Sequence, residues 1–271
     1  MIAFRAGGIN YGQPVNWSHP LNRGLVWWWM VLPDRPPTWV SATSLIDLCQ
    51  RDNGYLGDMA RGLNPDSVPR VGGWGSLAFD GVNDNAQVAG LSAFSGAATT
   101  VAAWLRCSAY DASGFVWFGT TVGATTYWQV ASNTACYCST TLVNVTSTPF
   151  ADGAWRHLCF VATAAATEVY VNGISIGTGA APTSVAAGSK TFMIGDWYGA
   201  PTTDFNLAGN MDDLRVYNRS LVASDVRQLY NLSRQRYPGV LNRVGTTRWI
   251  ADVQAAAAGR VPQRMLLGVG A

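Results

Sequence analysis

The stretch DGAWRHLCFVATAAATEVYVNGISIG, residues 152–177, decides the fold class. It holds three runs rich in β-branched and aromatic residues, 154–163, 167–172 and 174–178, and the pair Asn172-Gly173 joins the last two. A two-residue type I′ hairpin turn wants positive φ at both central residues, which Asn-Gly supplies at low steric cost. Strand alternation then puts Glu168, Tyr170 and Asn172 on one face and Val169 and Val171 on the core face. His157 and Cys159, in the preceding run, read as packed strand residues.

Working outward, similar short runs recur between clusters of Gly, Asn, Asp and Pro. They fall at 25–31, 75–80, 85–89, 99–107, 114–119, 126–131, 135–140, 190–195 and 209–217. Evenly spaced short strands indicate a sandwich or barrel rather than alternating strand and helix. The composition agrees: 271 residues, 48% hydrophobic and only 13% charged, with 12 Trp, 29 Gly and 12 Pro. That is enough apolar material for a large core and too little charge for a disordered chain. The fold class is therefore all-β. One helix is expected at about 222–230, where Val222, Val226 and Leu229 with Tyr230 recur at helical spacing, placed to cap one end of the sandwich. In VWWWM, Trp27 and Trp29 share a face, so Trp28 must meet an arm, a helix or another subunit.

The charge is unevenly distributed. Residues 1–24 carry +2, residues 25–232 carry −5, and residues 233–271 carry +5. This suggests an N-terminal arm (1–24), a body (25–232) and a basic C-terminal arm (233–271). There is no run of 18 apolar residues, so no membrane-spanning helix is expected. The opening residues lack the continuous apolar stretch of a secretory signal. The five Cys, Cys49, Cys107, Cys136, Cys138 and Cys159, are widely spaced in apolar settings and read as buried thiols. Six Arg over the last 39 residues are too dispersed for a nucleic-acid-binding tail, so no nucleic-acid partner is expected.

The segments GLVWWW, DLCQRDNGYL, GSLAFDGVNDNAQV, TTVAAWLRC, DGAWRHLCFVATAAATEVYVNGISIG, KTFMIGDW and LAGNMDDLRVYNRSLVASDVRQLY follow one another in the order seen in laminin-G-like, concanavalin A-like jelly-roll domains. The chain resembles that family over about residues 25–232. The resemblance implies an antiparallel jelly-roll sandwich flanked by the two arms. It also implies a calcium site at one rim, which on this sequence falls on Asp47, Asn53 and Asp213. Oxygen donors from separate loops suit a flexible site of that kind. The chain departs from the family in DLCQRDNGYL, which is shorter than usual and carries Gln50 and Arg51, and at Asn83, Asp84 and Asn85, where relatives often have two acids and Tyr. NYGQPVNWSHPLNRGLVWWWMVLP is in turn similar to the beginning of phage-encoded proteins, which implies a virion component.

Glucanases of this jelly roll resemble one another in a strand bearing two Glu and an Asp at alternating positions, the arrangement retaining hydrolysis needs. This chain owns one Glu, Glu168, without an acidic neighbour at two or four residues. Asp212 and Asp213, adjacent on a strand, should point to opposite faces and so fail to flank one bond. No nucleophile elbow, phosphate-cradling loop or dinucleotide fingerprint occurs. The expectation is a protein that is not an enzyme. Sugar binding would use exposed aromatics, with Trp197, Tyr198 and Trp128 as the candidates and Tyr110 and Tyr127 nearby. Arg248, Arg260, Arg264, Met265, Leu266 and Leu267 in the C-terminal arm are the candidates for subunit contacts.

The expected function is thus a non-enzymatic structural or decoration subunit of a phage-like virion, on capsid or tail. Its lectin-like body would touch surface glycans, and its partners would be copies of itself and a capsid protein. The alternative is a calcium-assisted carbohydrate-binding module of a secreted or cell-surface protein, located outside the cell.

Overall fold

A computed structural model of the chain describes residues 17–29, 54–56, 66–69, 75–82, 84–88, 98–109, 114–120, 127–139, 141–182, 192–196 and 205–234. Fifteen strands and one helix lie within them. They are β1 (Leu25–Trp29), β2 (Gly54–Leu56), β3 (Asp66–Pro69), β4 (Gly75–Asp80), β5 (Ala86–Val88), β6 (Thr99–Ala109), β7 (Phe115–Thr120) and β8 (Tyr127–Ser132). The others are β9 (Ala135–Cys138), β10 (Thr141–Asn144), β11 (Trp155–Ala162), β12 (Ala166–Val171), β13 (Ile174–Ala180), β14 (Phe192–Ile194), β15 (Ala208–Tyr217) and the helix α1 (Ala223–Ser233). A 3-10 turn, Pro20–Asn22, precedes β1, with the His19 side chain accepting from the Leu21 amide. The short strands β2, β3 and β10 were not foreseen, because three or four residues are too few to show a period.

Two antiparallel sheets form the expected sandwich. One runs β13-β12-β11-β6-β15-β4-β3, with β1 added alongside β15, and the other runs β10-β9-β8-β7-β14-β5-β2. Asn172 (φ 52) and Gly173 (φ 76) occupy the left-handed region, as the type I′ turn between β12 and β13 requires. At the edge where β13 meets β10 the sheets nearly touch: a Cβ on Gly177 would lie 2.3 Å from the Asn144 carbonyl oxygen. The Thr146 amide bonds the Ile176 carbonyl there at 2.7 Å, tying the two edges together.

The main core lies between the sheets. Trp27, Trp29, Phe79, Val101, Phe160, Val169 and Leu214 meet Phe115, Trp117, Phe118, Val130 and Phe192 from the facing sheet. Phe118 stacks on Phe192 with centroids 4.8 Å apart, and Trp117 meets Phe160 across the layer at 5.7 Å. Cys136 and Cys138 point into this core from β9; both thiols are free, and burial raises their pKa to about 12. Cys107 and Cys159 are also free and buried, whereas Cys49 lies outside the described residues.

Helix α1 does not cap an end of the sandwich. It lies on the outer face of the eight-stranded sheet, where Val226 and Leu229 pack with Trp28, Ala102, Cys159, Val161, Tyr170 and Tyr217. Trp28, directed away from the core, thus finds the helix. The apolar stripe of α1 has to be buried somewhere, and a sheet with aromatic side chains on both faces offers more area than a rim.

Candidate functional site

Two polar constellations stand out. The first is buried under α1. Trp28 Nε1 donates to Asp213 Oδ1 (2.7 Å), and Arg215 donates to the same carboxylate from Nε (2.8 Å) and Nη2 (3.0 Å). The Arg215 guanidinium also lies 4.1 Å over the Trp28 ring. Asp213 and Arg215, two apart on β15, share a face, and β15 carries a register shift between Asp212 and Arg215, with Asp213 at φ 53. That bulge interrupts the regular alternation on which the opposite-facing Asp212 and Asp213 were expected. Burial works against the Arg215 charge, but the paired carboxylate outweighs it and raises its pKa overall.

Beside this pair, His157 sits under Trp104 and Tyr230, at ring-centroid distances of 5.4 and 6.1 Å. Its Nδ1 has no hydrogen-bond partner. Burial is the main cause that lowers its pKa to about 3, with Asp213 opposing and Arg215 reinforcing the shift. Trp104 Nε1 donates to Ser233 Oγ (2.8 Å), which donates in turn to the Leu229 carbonyl and so fixes the end of α1 on the sheet. His157 is a packed structural residue, as its place in a strand suggested.

The second constellation is at one rim, where the β4–β5 turn, the end of β14 and the start of β15 meet. Asp84 Oδ2 accepts from the Asp80 amide (2.9 Å), Asp80 Oδ1 accepts from the Val82 amide (2.8 Å), and Asn206 Nδ2 donates to the Val82 carbonyl. Leu207 N donates to the Gly195 carbonyl at 2.9 Å. Asp84, Asn85, Asp196 and Asn206 are all buried here. Sequence reading passed over them as a site because Asp and Asn in turns are so common; the one available signal was the cluster of Asp and Asn in FDGVNDNA. Among the described residues, no group of three or more His, Cys, Asp and Glu side chains is placed to hold a metal ion.

The residues singled out from sequence divide sharply. Trp128 is fully buried in the core against Phe118, at 5.3 Å, so it packs the sandwich and presents no ring to a sugar. Asp213 is 2% exposed and both its oxygens are engaged, so it does not stand at a rim awaiting calcium. Its expected role came from the family resemblance, and in the fold its carboxylate is turned toward Trp28 and Arg215. Asp47, Asn53, Trp197, Tyr198, Tyr110, Arg248, Arg260, Arg264, Met265, Leu266 and Leu267 lie outside the described residues. The only Glu, Glu168, accepts the Tyr170 hydroxyl at 2.6 Å.

The fold and these contacts define a jelly-roll β-sandwich of lectin type. The profile of the concanavalin A-like lectin/glucanases superfamily matches residues 80–227, and the chain belongs to that family. No curated protein sequence matches it. Domain 4 of AbnA, a GH43 extracellular arabinanase from Geobacillus stearothermophilus solved with arabinotriose, superposes with a TM-score of 0.55 at 18% identity, covering 76% of this chain and 98% of that domain. The Trypanosoma rangeli sialidase in complex with sialic acid gives 0.53 at 18% identity, over 79% of this chain and 33% of the sialidase. The botulinum neurotoxin serotype D ligand binding domain, in complex with N-acetylneuraminic acid, gives 0.52 at 10% identity, over 78% of this chain and 51% of that one. At such identities the likeness is one of fold. No helix among the described residues is long and apolar enough to cross a membrane.

Proposed function

We propose that the chain is a non-enzymatic adhesion protein whose concanavalin A-like body binds a glycan and whose ends join it to other subunits of a phage-like particle. The observation that carries the adhesion reading is the disposition of its carboxylates on a lectin-type sandwich. Retaining hydrolysis needs two carboxyl groups about 5 Å apart across a cleft. Here the single Glu168 is tied to Tyr170, and Asp213 is enclosed with Arg215 beneath α1. Support for a glycan ligand comes from the family and from neighbours solved with arabinotriose and with sialic acid.

The rim holding Asp84, Asn85, Asp196 and Asn206 is the place we assign to that ligand. Trp197 and Tyr198 follow Asp196 directly in sequence, so rings for stacking continue from a rim whose own polar side chains are buried and hold its turns. The particle reading, in which the chain would sit on a virion surface, draws its support from the likeness of NYGQPVNWSHPLNRGLVWWWMVLP to the beginning of phage-encoded proteins.

Retention of the purified chain on immobilised polysaccharides, with calcium present and after chelation, tests the ligand. Binding that falls at least about tenfold in Trp197→Ala, with no reducing sugar released, is the expected result. Release of sugar that disappears on Asp substitution overturns the non-enzymatic reading. Loss of retention after chelation assigns calcium a role in it. Electron microscopy of purified particles that lack this chain overturns the virion placement while leaving glycan binding untouched.

A further inference from the structure

Helix α1 is fastened to the sandwich in two different ways. Its first turn is held by charge: Arg219, just after β15, donates from Nη1 to Asp225 Oδ2 (3.1 Å), from Nε to the Arg23 carbonyl (2.7 Å) and from Nη2 to the Pro20 carbonyl (3.1 Å). That three-way clamp ties the start of the helix to residues 20–23. Its last turns instead lie over His157. Tyr230 stacks on Trp104 with centroids 5.8 Å apart, the His157 ring is 6.1 Å from Tyr230, and Ser233 accepts from Trp104 Nε1. The β12–β13 turn closes the same place: the Asn172 side chain accepts the His157 amide at 2.9 Å, and a Cβ on Gly173 would lie 3.1 Å from Arg227 Cα.

His157 thus has the sheet beneath it and α1 above it, and its Nδ1 finds no hydrogen-bond partner among the described residues. The groups around it suit a neutral ring. From β15 come the buried Asp212, in the cross-strand row Asp212–Trp104–His157, and Asp213, whose two oxygens already bond Arg215. On β12, Glu168 is occupied by the Tyr170 hydroxyl, and Cys159 on β11 is a free thiol. The helix brings Tyr230, with Arg227 against the turn and Arg234 5.7 Å from the Tyr230 ring. An imidazolium here would lie out of water, beside the Arg215 cation, with the Asp213 carboxylate engaged elsewhere.

We infer that α1 is an acid-released cover: a proton taken up by His157 lifts the last turns of the helix from the sheet while the two-sheet core stands. Lifting the helix gives the imidazolium water and gives up the burial of Val226 and Leu229, whereas the core between the sheets is built from other side chains. The clamp at Arg219 holds the first turn, so the helix opens from its C-terminal end, the point from which the chain continues past Arg234. Burial is the first cause that holds the His157 pKa near 3, against 6.5 as the ordinary value, so the open form binds the proton first. The ratio of open to closed helix therefore rises about tenfold for each pH unit as pH falls from 6.5 toward 3. The inference goes beyond the glycan and particle readings and rests on neither.

The full chain carries its own reporters. Cys159 lies under α1 with Val226 and Leu229, Cys136 and Cys138 lie between the sheets, and all three are free and buried. A pyridyl disulfide, which reacts with thiols in acid, is applied to the purified protein from about pH 7 to about pH 4.5, and labelled peptides are read by mass spectrometry with the urea-unfolded chain at each pH as reference. Relative to that reference, Cys159 should react at least about tenfold faster than Cys136 and Cys138 and gain about tenfold per pH unit on acidification. His157→Phe should flatten that gain; His157→Gln, which keeps a polar side chain there, is the second variant, and circular dichroism checks that each is folded. Amide exchange should quicken at Leu229–Ser233 before Asp225 and Val226. The three thiols reacting together would mean that the helix leaves only when the sandwich unfolds, and this overturns the inference. So does a Cys159 rate indifferent to pH, a gain that survives in a folded His157 variant, or exchange that begins at the first turn.

Discussion

The two faces of the eight-stranded sheet are both buried, yet they are held in different ways. The inner face is mainly apolar: Val101, Phe160, Val169, Leu214 and Val216 meet the second sheet with no charged side chain among them, and Thr99 and Thr167 are the polar side chains that share it. The outer face carries Trp28, Asp213, Arg215, His157 and Trp104 beneath α1, an ion pair and polar aromatics whose bonds are nearly all made within the patch. Contacts on the inner face are non-directional, and any well-fitting hydrophobe serves there. Those on the outer face are directional, so each partner fixes the position of the next.

The largest expected effects put that contrast to the test. Phe160→Ala and Asp213→Ala should each destabilise by about 3–5 kcal/mol, the first through a cavity and the second by leaving Arg215 buried without its counter-charge. Chemical denaturation distinguishes them through rescue. Adding Arg215→Met to Asp213→Ala should restore at least about 1 kcal/mol, while no second substitution of that kind repairs Phe160→Ala. Failure of the rescue would mean that the outer face is an ordinary core.

His157 provides the next effect, through pH. Its pKa is near 3 in the fold against 6.5 as the ordinary value, so the unfolded chain binds the proton first. The stability tied to its neutral form is whole above pH 6.5 and drains away as pH falls from 6.5 toward 3. A loss of roughly 3–5 kcal/mol across that window is expected, and His157→Phe should flatten the slope in urea midpoints measured at several pH values. An unchanged slope would take His157 out of the account.

The smallest effects sharpen the helix contact. Ser233→Ala removes the acceptor of Trp104 Nε1 and should cost about 1 kcal/mol, with faster amide exchange confined to the last turn of α1. Arg219→Lys keeps the charge and loses the three-way clamp. Faster exchange at Leu21 and Asn22, by about fivefold, with little change in global stability, is the expected outcome.

The sequence showed much of the inner face and little of the outer one. Alternation in TEVYV and the Asn172-Gly173 turn announced the β12–β13 hairpin, and the same period separated Trp27 and Trp29 from Trp28. Trp128 was misjudged as a sugar platform because a Trp at a strand end looks the same in sequence whether its ring faces solvent or core. Asp213 was assigned to calcium from the family resemblance alone, and nothing in NMDDLRVY announces that its carboxylate meets Trp28 and Arg215. The helix was placed at an end because its stripe says that one face is buried and not against what.

The all-β class, the order of most of the longer strands, the scarcity of Glu and the basic ends around an acidic body follow from the amino-acid sequence alone, since composition and short-range period are local properties. The position of α1 on the outer face, the turning of Asp213 toward Arg215 and Trp28, and the joining of residues 20–23 to α1 by Arg219 were settled only in the folded chain. Each depends on groups some 185 to 199 residues apart, and no local pattern encodes which distant surface will bury them best.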